Sequence, residues 1–262
     1  MHAASFEARV LTNAADVEPI HLLTVLWDAN TPAPAAGQFY MLRAWGDEEA
    51  PLLSRPISVH SFDAQSGALA FLYEVKGKGT QKLAALTAGD TVRLTGPAGN
   101  GFPVEMLAAL QKPIALVGGG VGVAPLQQLA KELFDRGASV HFYGGYRSLT
   151  FGVEEMTPLC ERVEVATETG ASGYKGFVTD LLDPTLYGAV CTCGPEIMMQ
   201  KIARVCMEKG VPVYVSREAI MACGLGACLG CTCKTSAANG EKPVSVCKDG
   251  PVFEGSVFYE FH

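Results

Sequence analysis

The chain has 262 residues, 48% of them apolar and 18% charged, with a formal net charge of −7 and a pI near 5.3. That length suits two domains or one large one, and the apolar share supplies a sizeable core. The acidic balance argues against nucleic acid as a partner, and no run of about 18 apolar residues offers a membrane span.

The first hundred residues lack long helical periodicity. Short β-rich runs follow one another: FEARVLTN, HLLTVLWDA, GQFYMLRAW, RPISVHSF, ALAFLYEV and DTVRLTGP. Gly37 and Gly89-Asp90 mark turns between them. Strands at this spacing predict a small antiparallel barrel or sandwich. Within it, Arg55-Pro56-Ile57-Ser58 places a permanent guanidinium ahead of a strand, where it can clamp a diphosphate or simply be a surface charge. Lys76-Gly77-Lys78-Gly79-Thr80 reads as a loop opening a short helix, whose first N–H groups favour an anion. A hairpin loop with solvated lysines is the competing reading. Gly96 to Phe102, GPAGNGF, serves as well as a plain link between domains.

The hydrophobic period then changes. Pro113 to Val117 is a short apolar run that ends in Gly118-Gly119-Gly120-Val121-Gly122. A helix follows, with Leu126, Leu129, Ala130, Leu133 and Phe134 on one stripe and Gly137 at its end. Strand, glycine loop and helix together place a phosphate at a helix N-terminus. Further strands are predicted at 140–145, 163–167, 188–193 and 211–215, with a helix opening at Pro195 and closing at Gly210. Such alternation means a parallel sheet with flanking helices. The dinucleotide fingerprint is incomplete, because no acid ends the second strand and Gly144-Gly145-Tyr146-Arg147 stands there instead. A glycine turn that only tightens strand–helix packing stays open on this evidence.

Residues 223–247 carry the densest signal, CGLGACLGCTCKTSAANGEKPVSVC. Cys223, Cys228 and Cys231 form C-x4-C-x2-C, and Cys247 returns later, which is the plant-type spacing for a [2Fe–2S] cluster. Gly224, Gly226 and Gly230 let the backbone wrap closely. A structural zinc site also takes four cysteines but more often shows two close pairs. Cys233 is the ambiguous neighbour. The chain's nine cysteines are an odd number, and its start lacks the pattern of a signal peptide. Metal or redox roles in a reducing, cytoplasmic compartment are therefore expected rather than disulfides. No H-E-x-x-H or G-x-S-x-G set is visible, and His2, His21, His60, His141 and His262 read as ordinary strand or terminal residues.

Taken in order, RPIS, Leu72-Tyr73-Glu74, Gly79-Thr80 and GPAGNGF resemble the FAD barrel of the ferredoxin reductase family. The resemblance continues in GGGVGVAPL at 118–126 and in Cys193-Gly194-Pro195-Glu196-Ile197-Met198. With MACGLGACLGC, the chain over nearly its whole length resembles the electron-transfer subunits of dihydroorotate dehydrogenase B. That resemblance implies a multi-domain β and α/β fold in three units. These are an FAD-binding β-barrel at 1–102, an NAD-binding α/β domain at 103–215 and a [2Fe–2S] domain at 216–262. It implies that Arg55 and Thr80 hold the FAD diphosphate with Gly79. Pro56, Ile57 and Ser58 then approach the flavin, and Leu72 to Glu74 border it. It places NAD on Gly118, Gly119, Gly120, Gly122, Cys193, Gly194 and Pro195, with Cys193 beside the nicotinamide. Cys223, Cys228, Cys231 and Cys247 become the cluster ligands.

The implied partner is an FMN-containing catalytic subunit that oxidises dihydroorotate in pyrimidine biosynthesis, in a heterotetramer of two copies each. Electrons would pass through the cluster and FAD to NAD+. The same module serving a hydrogenase, sulfide dehydrogenase or transhydrogenase complex is the rival reading, and a flavin redox sensor is another. The aromatic terminus, Gly255 to His262, is expected to pack against the barrel or flavin or to meet the partner.

Overall fold

The computed structural model describes residues 4–260; Met1, His2, Ala3, Phe261 and His262 lie outside them. The first unit is a seven-stranded antiparallel sheet curled into an open barrel. Its strands are β1 (Ala4–Val17), β2 (Ile20–Leu26), β3 (Phe39–Arg43), β4 (Arg55–Ser58), β5 (Ser61–Asp63), β6 (Ala68–Glu74) and β7 (Thr91–Ala98). They lie in the order β4-β3-β7-β1-β2-β6-β5. β1 is long enough to serve both halves, pairing with β7 over Ala4–Arg9 and with β2 from Val10 onward. Alternate residues turn inward, so Val10, Leu23, Val25, Leu42, Leu69, Phe71 and Leu94 fill the interior. A short helix, α1 (Lys78–Ala84), follows β6. Its last carbonyls have no partner inside the helix, and Asn13 Nδ2 donates to those of Leu83 and Ala84 and to Leu86 just beyond.

After α2 (Val104–Ala108) a parallel sheet begins with β8 (Ile114–Gly119), which leads through a single tight turn into α3 (Ala124–Asp135). β9 (Val140–Tyr146), α4 (Val153–Met156), β10 (Arg162–Thr167), β11 (Tyr174–Lys175), β12 (Ala189–Cys193), α5 (Glu196–Glu208) and β13 (Val213–Ser216) complete the alternation. Leu126, Leu129, Ala130 and Leu133 bury the expected stripe of α3, but Phe134 is largely exposed because the helix rotates it past the edge of the stripe. Gly137 and Gly210 end α3 and α5 at φ +74° and +68°, a backbone region that suits glycine.

The third segment carries β14 (Thr232–Lys234), β15 (Pro243–Ser245), α6 (Val246–Asp249) and β16 (Val252–Glu254). β14 and β15 pair only with each other, whereas β16 leaves the segment and joins the nucleotide sheet, antiparallel to β13. The sheet order is therefore β11-β10-β9-β8-β12-β13-β16. The expected antiparallel barrel, parallel sheet and C-terminal cysteine segment are all present.

Two sets of contacts hold these parts in register. Between barrel and sheet, Phe62 N–H donates to Gln128 Oε1 at 2.8 Å and Ala36 N–H to Glu132 Oε1 at 3.1 Å. His60, expected as an ordinary strand residue, is instead buried between the two units. Its Nδ1 lies 2.9 Å from the Ala124 carbonyl and its Nε2 3.2 Å from Glu155 Oε2. The second set ties the cysteine segment to the GPAGNGF stretch. Asn100 N–H donates to the Gly250 carbonyl, and Asn100 Nδ2 donates to the carbonyls of Lys248 and Asp249 at 3.2 and 3.0 Å. GPAGNGF is thus more than a linker.

Candidate functional site

Three places converge where the units meet. In the parallel sheet, chain order runs from β8 to β9 and β10 on one side, and from β12 to β13 on the other. The carboxyl ends of β8 and β12 therefore flank the crevice where ligands bind in open α/β sheets. Gly118 and Cys193 are directly paired there. The turns that follow interlock so closely that side chains are excluded. A Cβ on Gly122 would sit 2.4 Å from the Cys193 carbonyl oxygen, and one on Gly194 would sit 2.9 Å from Gly119 Cα.

On one side of this junction lies a cavity of about 480 Å³. Gly119, Gly120 and Pro195 form its floor, with Ile197, Met198 and Lys201 along α5. Arg147, Glu168 and Phe177 stand opposite. Of the expected nucleotide residues, Gly119, Gly120 and Pro195 face this space, whereas Gly118, Gly122 and Gly194 support the turns behind it. Lys201 is engaged by Asp180 at 3.0 Å and by Thr179 Oγ1 at 2.8 Å. Glu168 was missed by the sequence reading because it ends the third strand of the unit, not the second. Its signal was an acid directly after the run VEVAT.

On the other side is a second cavity, of about 210 Å³, whose walls come from all three units. The barrel contributes Phe39, Pro56, Ile57, Ser58, Leu72, Tyr73 and Glu74. The nucleotide unit supplies Val121, Ala124 and Cys193, and the third segment supplies Arg217, Glu218 and Met221. Cys193 thus belongs to this cavity, two residues before Pro195 of the other. Burial first, then the charge of Glu218, pushes its thiol up to about 12. The group stays a neutral thiol near pH 7, which suits a packing surface and not a nucleophile.

Arg55 does not line this cavity. Its guanidinium lies across Gly79, where a Cβ would come within 2.5 Å of Nε, and 5.7 Å from the centre of the Trp45 ring. The fold therefore brings RPIS and the Gly79-Thr80 turn together. Thr80 Oγ1 accepts from Lys76 and Gly77 N–H at 3.0 and 3.1 Å and donates to the Gly77 carbonyl, so its hydroxyl shapes the turn. The backbone N–H groups of the first turn of α1, beside the Arg55 charge, are the donors that the helix itself cannot use.

The cysteine loop packs on the barrel through Gly224, where a Cβ would meet the Met41 side chain at 2.5 Å. Gly224 and Gly226 take φ of +67° and +77° and turn the backbone so that N–H groups face sulfur. Gly226 N–H lies 3.1 Å from Cys247 Sγ, and those of Leu225 and Cys228 lie 3.4 Å from Cys223 Sγ. Gly230 N–H donates to Cys228 Sγ and Cys247 N–H to Cys231 Sγ, each at 3.4 Å. Burial raises the Cys223 thiol, but these backbone donors outweigh it and bring it down to about 6. The Cys247 thiol is pushed up to about 12, by burial and then by the Cys231 thiol bonded to it.

The four sulfurs lie close enough to influence one another, Cys223 with Cys228 and Cys247 with both Cys231 and Cys223. Among the described residues, no group of three or more His, Cys, Asp or Glu side chains closes around a single ion. Four cysteine sulfurs are the donor set that a dinuclear cluster takes, two to each iron. Cys233 Sγ points away, 3.8 Å from the Cys231 carbonyl. All nine cysteines are free thiols.

Of the C-terminal aromatics, Phe258 and Tyr259 are described and pack beside Arg217 and Glu196, whereas Phe261 lies outside the described residues. Phe258 lies under the Arg217 guanidinium at 4.2 Å, and Tyr259 Oη donates to Glu196 Oε1 at 2.9 Å. His262 is outside the described residues. Among the described residues, no helix is long and apolar enough to cross a membrane.

Residues 218–258 match the family model of the iron–sulfur cluster binding domain of dihydroorotate dehydrogenase B. The electron transfer subunit of dihydroorotate dehydrogenase B (NAD(+)) from Clostridium acetobutylicum is 47% identical over 84% of this chain and 84% of its own length. Its counterpart from Clostridium perfringens is 40% identical over 95% and 96%. The chain belongs to this family of electron transfer subunits. It is an oxidoreductase component, and the solved structures agree with that assignment. An NADH-dependent reduced ferredoxin-NADP oxidoreductase superposes with a TM-score of 0.81 at 28% identity, covering 95% of this chain and 88% of the other. A ferredoxin reductase of carbazole 1,9a-dioxygenase shares the fold at TM-score 0.68 and 19% identity, over 82% and 69%.

Proposed function

We propose that this chain carries electrons between a partner that oxidises dihydroorotate and NAD+, through a [2Fe–2S] cluster on Cys223, Cys228, Cys231 and Cys247 and an FAD in the three-walled cavity. One observation carries the reading. A single cavity is bounded by the barrel, by the nucleotide turn at Cys193 and by the segment that runs on into the cysteine loop. When bound there, FAD exchanges electrons in pairs with nicotinamide and singly with iron–sulfur, which is why it belongs between them.

The residues divide the work. Ser58 and the Leu72–Glu74 edge bound the ring, while Arg55, Gly79 and the N–H groups around Thr80 hold the diphosphate. Gly119, Gly120 and Pro195 receive the nucleotide in the larger cavity, backed by Gly118, Gly122 and Gly194. Arg147 and Glu168 line it side by side, at the ends of the adjacent strands β9 and β10. Cys193 spans the step from that cavity to the flavin cavity and keeps it free of a charged nucleophile. Backbone N–H groups around the four sulfurs offset thiolate charge, as a bound cluster requires.

The outer rim of the cysteine loop supports a docking face. Cys228 is exposed, and Ile220, Leu225 and Leu229 around it are 88%, 53% and 64% exposed. We infer that the catalytic subunit, with its FMN, seats on this rim, two of each chain forming a heterotetramer in the cytoplasm. In this reading 1–102 is the FAD unit, 103–215 the NAD unit and 216–262 the cluster unit, which lends β16 to its neighbour.

Purification with the partner and a dihydroorotate-dependent NAD+ reduction assay test the proposal. Cys228→Ser is expected to abolish transfer between subunits while NADH still bleaches the retained flavin. Transfer that persisted without the cluster would overturn the series arrangement. A partner lacking FMN and dihydroorotate oxidation would overturn its identity.

A further inference from the structure

His60 comes two residues after Ser58, the last residue of β4 and part of the flavin cavity wall. Its backbone belongs to the barrel, because its N–H donates to the Ala70 carbonyl of β6 at 2.9 Å. Its ring belongs to the other unit. The residue is 2% exposed, and the side chain crosses to the nucleotide domain. Nδ1 lies 2.9 Å from the Ala124 carbonyl at the start of α3, and Nε2 lies 3.2 Å from Glu155 Oε2 in α4. A carbonyl and a carboxylate are both acceptors, so the two contacts are attractive together only when both ring nitrogens carry a proton. Glu155 is ionised near pH 7, because the His60 hydrogen bond holds its carboxyl below the ordinary value against the effect of burial. The ring is thus fixed at both edges, with Nδ1–H aimed at Ala124.

Ala124 is a telling anchor. It lines the flavin cavity together with Ser58 and follows directly on the tight turn Gly120–Val123. Within that turn Val121 borders the flavin cavity and Gly120 the nucleotide cavity. The barrel N–H groups of Phe62 and Ala36 reach α3 one and two turns further on, and each ends on a flexible side chain, Gln128 or Glu132. His60 instead bonds to main chain beside the turn itself.

We propose that His60 is a positioning residue for electron transfer between nicotinamide and flavin. Its Nδ1–H fixes the turn Gly120–Val123 against the Ile57–Ser58 wall, and Glu155 keeps the ring protonated for that task. This rests on the placement of FAD in the three-walled cavity. Hydride transfer, which moves two electrons and one hydrogen nucleus together, needs near contact between rings that two different units hold. A misplacement of about 1 Å costs on the order of a hundredfold in rate.

The test uses the whole chain purified with its partner, at pH 7. It follows the limiting rate at which NADH bleaches the flavin, the NADH concentration for half-saturation and the thermal midpoint. His60→Asn keeps a donor where Nδ1 stands, and His60→Gln keeps one nearer Nε2. Each loses one bond, so both are expected to unfold at a lower temperature than the native chain. His60→Gln, cut from Ala124, is expected to lose about tenfold or more in limiting rate, with half-saturation little changed. His60→Asn is expected to stay close to the native rate. Glu155→Gln offers an amide that can donate to Nε2, so the bond from Nδ1–H to Ala124 survives. It is expected to lower the thermal midpoint and keep the native limiting rate.

Equal limiting rates in His60→Asn and His60→Gln would overturn the proposal, since a brace that only holds the fold does not distinguish the two bonds. If neither variant folds, Glu155→Gln decides, and a limiting rate that falls along with its thermal midpoint would overturn the proposal as well. Ile57→Phe separates this failure from a misplaced flavin. Visible bands that move with Ile57→Phe, while the two His60 variants react alike, sink only the role of His60. Bands unmoved by Ile57→Phe sink the placement of the flavin, and this inference with it.

Discussion

Two glycine-rich loops, 118–122 and 223–230, hold opposite solutions to the same composition. In the first, glycine is needed because backbone meets backbone. Gly122 lies against the Cys193 carbonyl and Gly119 against Pro195 and Met198, while Gly120 opens to the nucleotide cavity. In the second, glycine is needed because of direction. Gly224 and Gly226 adopt left-handed φ so that N–H groups face sulfur, and the rim stays open to solvent. The first loop is rigid because it is packed. The second is specific because it is hydrogen-bonded, and it keeps its outer surface free for another molecule.

Filling the packed loop should cost most. Gly122→Ala places a methyl within 2.4 Å of a backbone oxygen and 2.6 Å of Gly194 Cα, atoms that cannot move aside cheaply. We expect a loss of about 1–3 kcal/mol in unfolding free energy, as for overpacked cores, with weakened NADH binding. Denaturant unfolding and NADH titration measure both, and an unchanged midpoint would show that the two turns are not in contact.

Gly226→Ala tests the other solution. A non-glycine residue at φ +77° costs about 1 kcal/mol, and the N–H aimed at Cys247 Sγ is displaced. Iron content and the visible cluster bands should fall while NADH still reduces the flavin. Full cluster occupancy would mean that this backbone donor is dispensable.

A third experiment leaves both loops intact and strikes the brace behind the first. Glu155, paired with His60 at the start of α3, has its carboxyl held below the ordinary 4.5 by the His60 hydrogen bond, against the opposing effect of burial. A carboxylate with a depressed native pKa stabilises the fold above its unfolded pKa and loses that contribution as pH falls through the native one. Glu155→Gln should therefore lower the thermal midpoint near pH 7, and the difference from native should shrink as pH drops below about 4.5. A difference independent of pH would remove the ion pair from the account.

The smallest change in stability is expected at the open rim. Leu229→Ser, at a residue 64% exposed, should alter stability by under about 0.5 kcal/mol. It should nonetheless weaken partner binding several-fold. Unaltered binding in a calorimetric titration would move the docking face elsewhere.

The barrel, the sheet and the position of the cysteine loop were legible because each rests on short-range periodicity or spacing. RPIS and GKGT could be picked out, yet only the fold shows Arg55 lying across Gly79. Glu168 and Arg217, and the bridging position of His60, were not legible for a common reason. Each is an ordinary residue in its own segment and acquires meaning from a surface more than twenty residues away in sequence. The antiparallel return of β16 was equally hidden, since three residues, Val252–Glu254, carry no period long enough to announce a strand partner.

That return has a mechanical consequence. The cysteine segment is stitched at β16 to the nucleotide sheet and at Asn100 to the exit of the barrel. It cannot swing out as a tethered shuttle or be swapped as a cassette without fraying its neighbours. On the proposed docking face, a change of partner then needs only a few exposed side chains around Cys228 to change, while the spacing between the two internal redox sites is inherited with the fold.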